Sequence, residues 1–464
     1  MGCKTMTARC GSEISRSNDS EMNKREFLKK AGLLSAATVL PMPAWTGNNE
    51  HKTLRTAHVG VGGMGAEDLK AFAAHEEVQI AALCDVDSSR LAAAKKLHPS
   101  AKTYTDYRDM LKEMGNEIDA VVVSTPDHTH APASMMAMEM DKPVYCQKPL
   151  THHVTEARAM NKMATEKNLI TQMGIQVHSF FDYKLGTALI QSGIIGKVKK
   201  VHAWSPKNWG YDGAAPAGSD PVPSSLDWNL WLGTSPNRDF KEGMYHPGNW
   251  RKIMDYGCGT LGDMGVHIFD TPYNALALDI PKTIKNECRK PTNYGFPENN
   301  IVTYDFPGTE YTTKKFKWIW YDGPGAPKGH KDLKLPNGDE LPDQGAMFIG
   351  EKGRLLLPHF MQLPRHIVKG KYVDLPLDQF SEMGRPTEDY GKESNKHYHQ
   401  FVDACLGKGE CTAPFSYAAR LTETILLGVI AGRFPNKKLH WDAEKARFKE
   451  DEANQFLDAP YRKF

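Results

Sequence analysis

A short glycine-rich turn constrains the fold of this chain more than any other feature. Residues 56–59 (Thr-Ala-His-Val) have the character of a strand and run into Gly60-Val61-Gly62-Gly63-Met64-Gly65. Residues 66–74 then place apolar side chains at helical spacing. In a G-x-G-x-x-G turn of this kind, Gly60 permits the tight reversal and Gly62 lets backbone N–H groups approach a pyrophosphate. Gly65 lets the helix pack close to the strand, with the phosphates at the helix N-terminus. Glycines alone say little, but the next strand (78–84) ends in Asp85, 20 residues after Gly65. A carboxylate there receives the ribose 2′-hydroxyl of NAD and repels the 2′-phosphate of NADP. Strand, glycines, helix and acid in this order predict an N-terminal Rossmann domain with NAD as cofactor, held by Gly60, Gly62, Gly63, Met64, Gly65 and Asp85.

The next strands extend the pattern. Residues 119–124 (DAVVVS) are nearly continuously apolar, as suits a parallel strand covered on both faces. They lead into Thr125-Pro126-Asp127-His128-Thr129-His130, and a helix is expected over 132–140. A further strand at 143–146 leads into Gln147-Lys148-Pro149-Leu150, with a helix over 155–167. Both loops follow the carboxyl ends of strands, the edge at which open α/β sheets bind ligands. Thr125, Pro126, His128 and His130 are accordingly expected at the cofactor, the two histidines either lining the pocket or anchoring backbone. His128, His130, His152 and His153 follow different strands without ligand-like spacing, so no metal is expected.

Beyond residue 173 the βαβ regularity stops. Strands are expected at 197–204, 301–306, 311–320 and 353–357, separated by Gly/Pro turns such as Asp322-Gly323-Pro324-Gly325. This predicts a C-terminal α+β domain with a largely antiparallel open sheet. Residues 204–250 hold five of the nine tryptophans (Trp204, Trp209, Trp228, Trp231, Trp250), with Asn208, Asp227, Asn249 and Arg251 nearby. Two readings stand: indole faces and polar partners suited to a sugar ring, or indoles packing long loops onto the sheet. His397 and His399, before a helix expected at 401–405, either border the pocket or cap that helix.

The 464 residues are 40% hydrophobic and 25% charged, which suits two or three folded domains. A net charge of +2 gives no electrostatic case for nucleic acid. Eight cysteines without a CxxC pair argue against a zinc ribbon or a disulfide framework. No apolar run approaches the ~20 residues a membrane span needs. The first 50 residues read as an export leader: a basic stretch (Asn23-Lys24-Arg25-Glu26-Phe27-Leu28-Lys29-Lys30), ten apolar residues (31–40), then Pro41-Met42-Pro43-Ala44. The stretch is similar to a twin-arginine signal with Lys24 in place of the first arginine, and Met22 is a natural start for it; a surface amphipathic helix is the other reading. The expected division is therefore 1–50 leader, 51–173 NAD-binding domain and 174–464 substrate domain, with a periplasmic location and cytoplasmic as the alternative.

Taken in order, GVGGMG, LCDVD, STPDHTH, KPVYCQKPL and GCGTLGDMGVHIFD resemble the glucose-fructose oxidoreductase and inositol dehydrogenase (Gfo/Idh/MocA) family over roughly residues 54–434. The resemblance implies a lysine beside the nicotinamide from a Glu-Lys-Pro motif and an acid/base pair from D-x-x-x-H. The matching residues are Lys148, Asp263 and His267, and Gln147 stands where the family has glutamate. The residues agree with this on their own chemistry. Asp263 and His267 are four apart and share a helical face, and an imidazole titrating near neutrality can take a carbinol proton as hydride leaves. Trp209, Trp250, Arg251, Asp263 and His267 are the expected substrate contacts. The leading expectation is an NAD-dependent oxidoreductase acting on a sugar or glycoside carbinol. A redox-neutral NAD-dependent glycoside hydrolase and a non-catalytic sugar-binding protein are the alternatives, and pairing into a homo-oligomer is expected.

Overall fold

The computed structural model describes residues 53–327 and 329–464; the expected export leader and Met22 start lie outside them. The first unit is a six-stranded parallel sheet built from β1 (Leu54–Val59), β2 (Val78–Cys84), β3 (Lys102–Tyr104), β4 (Ala120–Val123), β5 (Val144–Gln147) and β6 (Thr171–Gly174). Its spatial order is β3-β2-β1-β4-β5-β6, the doubly wound order that reverses between β1 and β4. The crossovers are α1 (Met64–Ala73), α2 (Ser88–Leu97), α3 (Tyr107–Met114), α4 (Asp127–Glu139) and α5 (Val154–Glu166). Asp87 and Asp106 start α2 and α3 by accepting from the backbone N–H groups of Ser89 (3.0 Å) and Arg108 (2.8 Å), satisfying donors that a helix start leaves free. All four residues of β4 are buried, as expected for a strand covered on both faces.

The second unit is a ten-stranded sheet ordered β14-β13-β12-β11-β7-β10-β9-β8-β15-β16. Its strands are β7 (Val198–Trp204), β8 (Thr283–Glu287), β9 (Ile301–Pro307), β10 (Thr312–Tyr321), β11 (Gly345–Gly350), β12 (Arg354–Pro358), β13 (Arg365–Val368), β14 (Lys371–Val373), β15 (Lys438–Asp442) and β16 (Arg447–Phe448). Every pairing is antiparallel except the central β7/β10 pair. Together the two sheets give the expected α/β architecture, Rossmann plus α+β.

One face of the larger sheet packs against α6 (Phe181–Gln191), α8 (Val266–Ala275) and α10 (Phe415–Ala431), for example through the Phe269–Trp318 stack at 3.9 Å. The other face buries Trp204, Tyr321, Met347, Leu356 and Ile367 beneath Leu333 and Leu335 of the 322–344 loop. A short α7 (Trp228–Leu232) sits in a satellite cluster in which Trp228 and Trp231 stack at 4.7 Å against Phe240, Tyr245 and Tyr256. Packing therefore accounts for Trp204 and Trp228; Trp231 and Trp250 belong to the satellite cluster and also line a cavity, whereas Trp209, expected as a substrate contact, lines none of it.

Two helices differ from the sequence expectation. The helix expected over 132–140 begins five residues earlier, at Asp127, and carries Pro132 inside it at the loss of the one backbone hydrogen bond that an N–H there would make to the His128 carbonyl. The helix expected at 401–405 is the much longer α9 (Tyr390–Cys405), and it packs on the first sheet, not the second. Tyr398, Phe401 and Val402 share a core with Phe72, Leu83, Val122 and Tyr145. His397 is buried in this joint, 2.8 Å from both Ser179 Oγ and the Met173 carbonyl; it neither borders the pocket nor caps the helix. Among the described residues no helix is long and apolar enough to cross a membrane.

Candidate active site

The glycine turn builds a cleft at the carboxyl edge of the parallel sheet. Gly60 has φ +83°, and a Cβ there would stand 2.6 Å from the Ser124 carbonyl oxygen; one on Gly65 would stand 2.1 Å from the Gly60 oxygen. The two glycines thus allow the β1–α1 turn to lie against β4 and against itself. Gly60, Gly62, Gly63, Met64, Asp85, Thr125 and Pro126 all line the cleft. Gly65 does not, and its contribution is the close packing beneath it. Asp85 accepts from the Val61 N–H (2.9 Å) and the Asp87 N–H (2.9 Å), which fixes its carboxylate at the cleft wall with lone pairs to spare. Burial raises its pKa, against the lowering by those two backbone bonds. Arg90 also lines the cleft, its guanidinium 3.5 Å from Asp87. A glycine floor, a helix N-terminus and an anchored carboxylate fit a dinucleotide.

His128 and His130 are exceptions to the expected cofactor contacts. Both are buried on α4 and face away from the cleft. His128 nitrogens lie 3.0 and 3.4 Å from the carbonyls of Trp231 and Tyr256; those of His130 lie 2.8 and 2.9 Å from the carbonyls of Pro149 and Thr125. They tie loops together, because the helix starting at Asp127 turns these positions inward.

A second pocket continues the first, sharing Met64, Ser124, Thr125, Trp250 and Arg251 with it. Here the loop after β5 meets a π-type helical turn, Leu261–Gly265, that leads into α8. Lys148 Nζ donates to the Asp263 carbonyl (2.9 Å) and to Asp263 Oδ1 (2.8 Å). Arg251 Nε reaches the same Oδ1 at 3.2 Å, and Trp209 Nε1 donates to Oδ2 at 2.6 Å. Arg251 also stacks on the Trp250 ring at 4.2 Å. Burial alone would raise the Asp263 carboxyl, but Lys148 and Arg251 outweigh it and hold the group well below the usual carboxylate range. The side chain is therefore fully committed to these partners and makes no hydrogen bond to His267, although both line the pocket. The shared helical face holds; the direct Asp263–imidazole contact does not form.

His267 Nδ1 is buried without a hydrogen-bond partner. Burial, then the charge of Lys148, then His359 lower its pKa well below the ordinary imidazole value, so the ring is neutral at neutral pH.

Three pocket residues escaped sequence reasoning. Asp127, the first residue of α4, carries a buried carboxyl pushed up to about 7 by burial against the pull of Arg251 and Lys148. It sat inside a recognised motif, but its helical start was not anticipated. His359 enters from the end of β12, its ring 6.0 Å from that of His267 and its Nδ1 hydrogen-bonded with the Tyr183 hydroxyl. Tyr390 comes from α9. No local pattern marks either of the last two; only the tertiary fold brings them in.

Comparison with known proteins agrees with this geometry. A family model described as "Oxidoreductase family, NAD-binding Rossmann fold" (GFO_IDH_MocA) matches residues 54–175, and its companion, "Oxidoreductase family, C-terminal alpha/beta domain", matches residues 183–294. The chain belongs to the Gfo/Idh/MocA oxidoreductase family. Its first domain is accordingly an NAD-binding Rossmann domain, as the cleft geometry requires. Among relatives, a glycosyl hydrolase family 109 protein of Stenotrophomonas maltophilia is 33% identical over 138 residues, 27% of this chain and 29% of that protein. An inositol 2-dehydrogenase of Salmonella typhimurium is 30% identical over 156 residues, 32% of this chain and 45% of that protein. The matched segments thus span less than half of these relatives. An inositol dehydrogenase homolog of Azotobacter vinelandii, solved with NAD+, shares the fold at TM-score 0.61 and 17% identity, over 84% of this chain and 98% of that one.

Asp85 should set cofactor choice. In titration calorimetry NAD is expected to bind more tightly than NADP, and Asp85→Ala to narrow the gap mainly by loss of NAD affinity. Unchanged selectivity would remove Asp85 from that role.

Proposed function

We propose that this NAD-binding oxidoreductase acts on a secondary carbinol of a sugar or glycoside, with His267 as the acid/base. The observation that carries the reading is a neutral imidazole and a lysine ammonium lining one pocket that opens into the dinucleotide cleft. Bound NAD supplies the hydride acceptor. His267 takes the hydroxyl proton on Nε2, the ring nitrogen left to face the pocket when Nδ1 is buried. Lys148, with two of its three N–H donors engaged by Asp263, directs the third to the same oxygen. Asp263 is a positioning residue here: it aims Lys148 and does not touch the imidazole. Trp250 and Arg251 form one wall, suited to the C–H face and hydroxyls of a pyranose, and Trp209 supports that wall from behind through Asp263 and Arg251.

A specific observation supports a second reading. The relative named for glycosyl hydrolase family 109 favours a redox-neutral cycle, in which a ring carbon is oxidised, the aglycone is eliminated and the ring is reduced again. Such a cycle acidifies the neighbouring C–H, whereas simple dehydrogenation does not. Solvent deuterium appearing beside the oxidised carbon would select the hydrolase cycle, and its absence during turnover the dehydrogenase.

For either cycle, His267→Ala is expected to lower kcat by about 10²–10⁴-fold with NAD affinity retained, because His267 lines the adjoining pocket and not the dinucleotide cleft. Lys148→Ala should have a comparable effect. Full activity of His267→Ala on a wild-type substrate would refute the assignment. A base must be deprotonated to act, and the folded-state pKa of His267 is lowered. The acid limb of kcat/KM should therefore fall below pH 6.5, the ordinary imidazole value; a limb above it would point to another base.

We also propose that the protein is exported through its N-terminal leader. N-terminal sequencing from the native host should then find a mature chain starting near Trp45 in the periplasmic fraction. A chain starting at Met1 or Met22 in the cytosol would overturn the export reading.

A further inference from the structure

We propose that His202, His330 and Asp332 form a binding site for a divalent transition-metal ion of the zinc type, on the face of the ten-stranded sheet opposite its helices. His202 lies on β7, and His330 and Asp332 lie in the 322–344 loop that covers this face; none of the three lines the cofactor cleft or the adjoining pocket. Each offers one ligand atom, and these atoms all lie within 4.8 Å of one another. His202 Nε2 and Asp332 Oδ2 are 3.4 Å apart. Two ligands at tetrahedral zinc, with bonds of about 2.0–2.2 Å, are separated by about 3.4 Å. The other ligand pairs need only a small inward shift of the loop. Two imidazoles and a carboxylate favour zinc, cobalt or nickel over calcium or magnesium, which select all-oxygen shells.

The surroundings are those of a supported ligand set. His202 Nδ1 is 3.0 Å from the Tyr321 hydroxyl, whose oxygen can accept the N–H of a histidine ligating through Nε2. Arg354 donates to the Asp332 carbonyl (2.7 Å), which fixes the loop backbone at the ligand itself. Lys200 Nζ stands 3.0 Å from Asp332 Oδ2, with its side chain about one-third exposed, so it provides the positive charge that a metal would provide and has solvent to retreat into. The two cations compete for one oxygen. A bound ion would connect the covering loop to the sheet through three bonds, and its consequence is structural, independent of the hydride chemistry proposed above.

Metal-stripped full-length protein without a histidine tag can be titrated with Co²⁺ and Zn²⁺ by calorimetry and visible absorption. One ion per chain is expected, with nitrogen and oxygen but not thiolate charge-transfer bands, together with a rise in the thermal midpoint. His330→Ala removes a half-exposed ligand and should weaken binding at least about tenfold, whereas Lys200→Gln, by freeing the Asp332 oxygen, should tighten it. Circular dichroism of both variants separates lost ligation from lost folding, and Lys200→Gln leaves every ligand in place. Failure to bind one ion below about 100 µM free metal, or an affinity unchanged by either substitution, would overturn the site.

Discussion

At the pocket the two domains are joined by one buried ion pair, and the reactive geometry depends on it. Lys148 follows the last residue of β5, and Asp263 sits in the turn that leads into α8. Their side chains are 12% and 13% exposed, so both charges have given up most of their hydration. Desolvation makes such a pair a poor source of net stability, yet losing one member strands a buried charge at a cost of about 3–5 kcal/mol. The pair is therefore better understood as a device of alignment. It takes a cation from the carboxyl edge of one sheet and fixes it against the helix that carries His267. Trp209 and Arg251 occupy the remaining approaches to the carboxylate, leaving Asp263 little freedom to turn elsewhere.

The glutamine beside that lysine has a physical explanation. Gln147 Nε2 donates to both oxygens of Asp68, at 2.9 Å each, and its Oε1 accepts from the Lys148 backbone N–H at 3.3 Å. Ser124 Oγ (2.6 Å) and the Tyr398 hydroxyl (2.7 Å) complete the shell around Asp68. Burial pushes the Asp68 carboxyl up to about 6, against the pull of these neutral donors. A glutamate at 147 would bring a second carboxylate against the first with no cation between them, and like charges at that distance cannot both stay ionised. An amide is the residue type that can donate to Asp68 and still accept from the backbone of Lys148.

The cofactor domain was legible because its signals are local. A turn needing glycine at positive φ, a helix start and an acid at the next strand end all fall within 30 residues, and each has a backbone reason for its residue type. Lys148, Asp263 and His267 were legible through the family pattern, and the pocket contains all three. The shell around them was not. His359 and Tyr390 reach the pocket from a strand end and a helix hundreds of residues from the glycine turn, and the hydrogen bond of His359 with Tyr183 has no counterpart in spacing. His128 and His130 misled for a related reason. A histidine following a strand reads as a pocket residue, but the helix begins five residues sooner than the proline suggested and turns both rings toward carbonyls.

The return of α9 to the first sheet bears on how the chain is made. When synthesis has passed β6, every strand of the cofactor sheet exists, but Phe72 and Tyr145 still lack Tyr398, Phe401 and Val402, which come after the intervening residues 175–389. Until then an aromatic surface on the sheet stands open. Contacts this distant along the chain are slow to close, and exposed apolar surface invites association with other chains. The cofactor domain thus completes its own core only when nearly the whole polypeptide is out, so its folding is tied to the synthesis of the other domain.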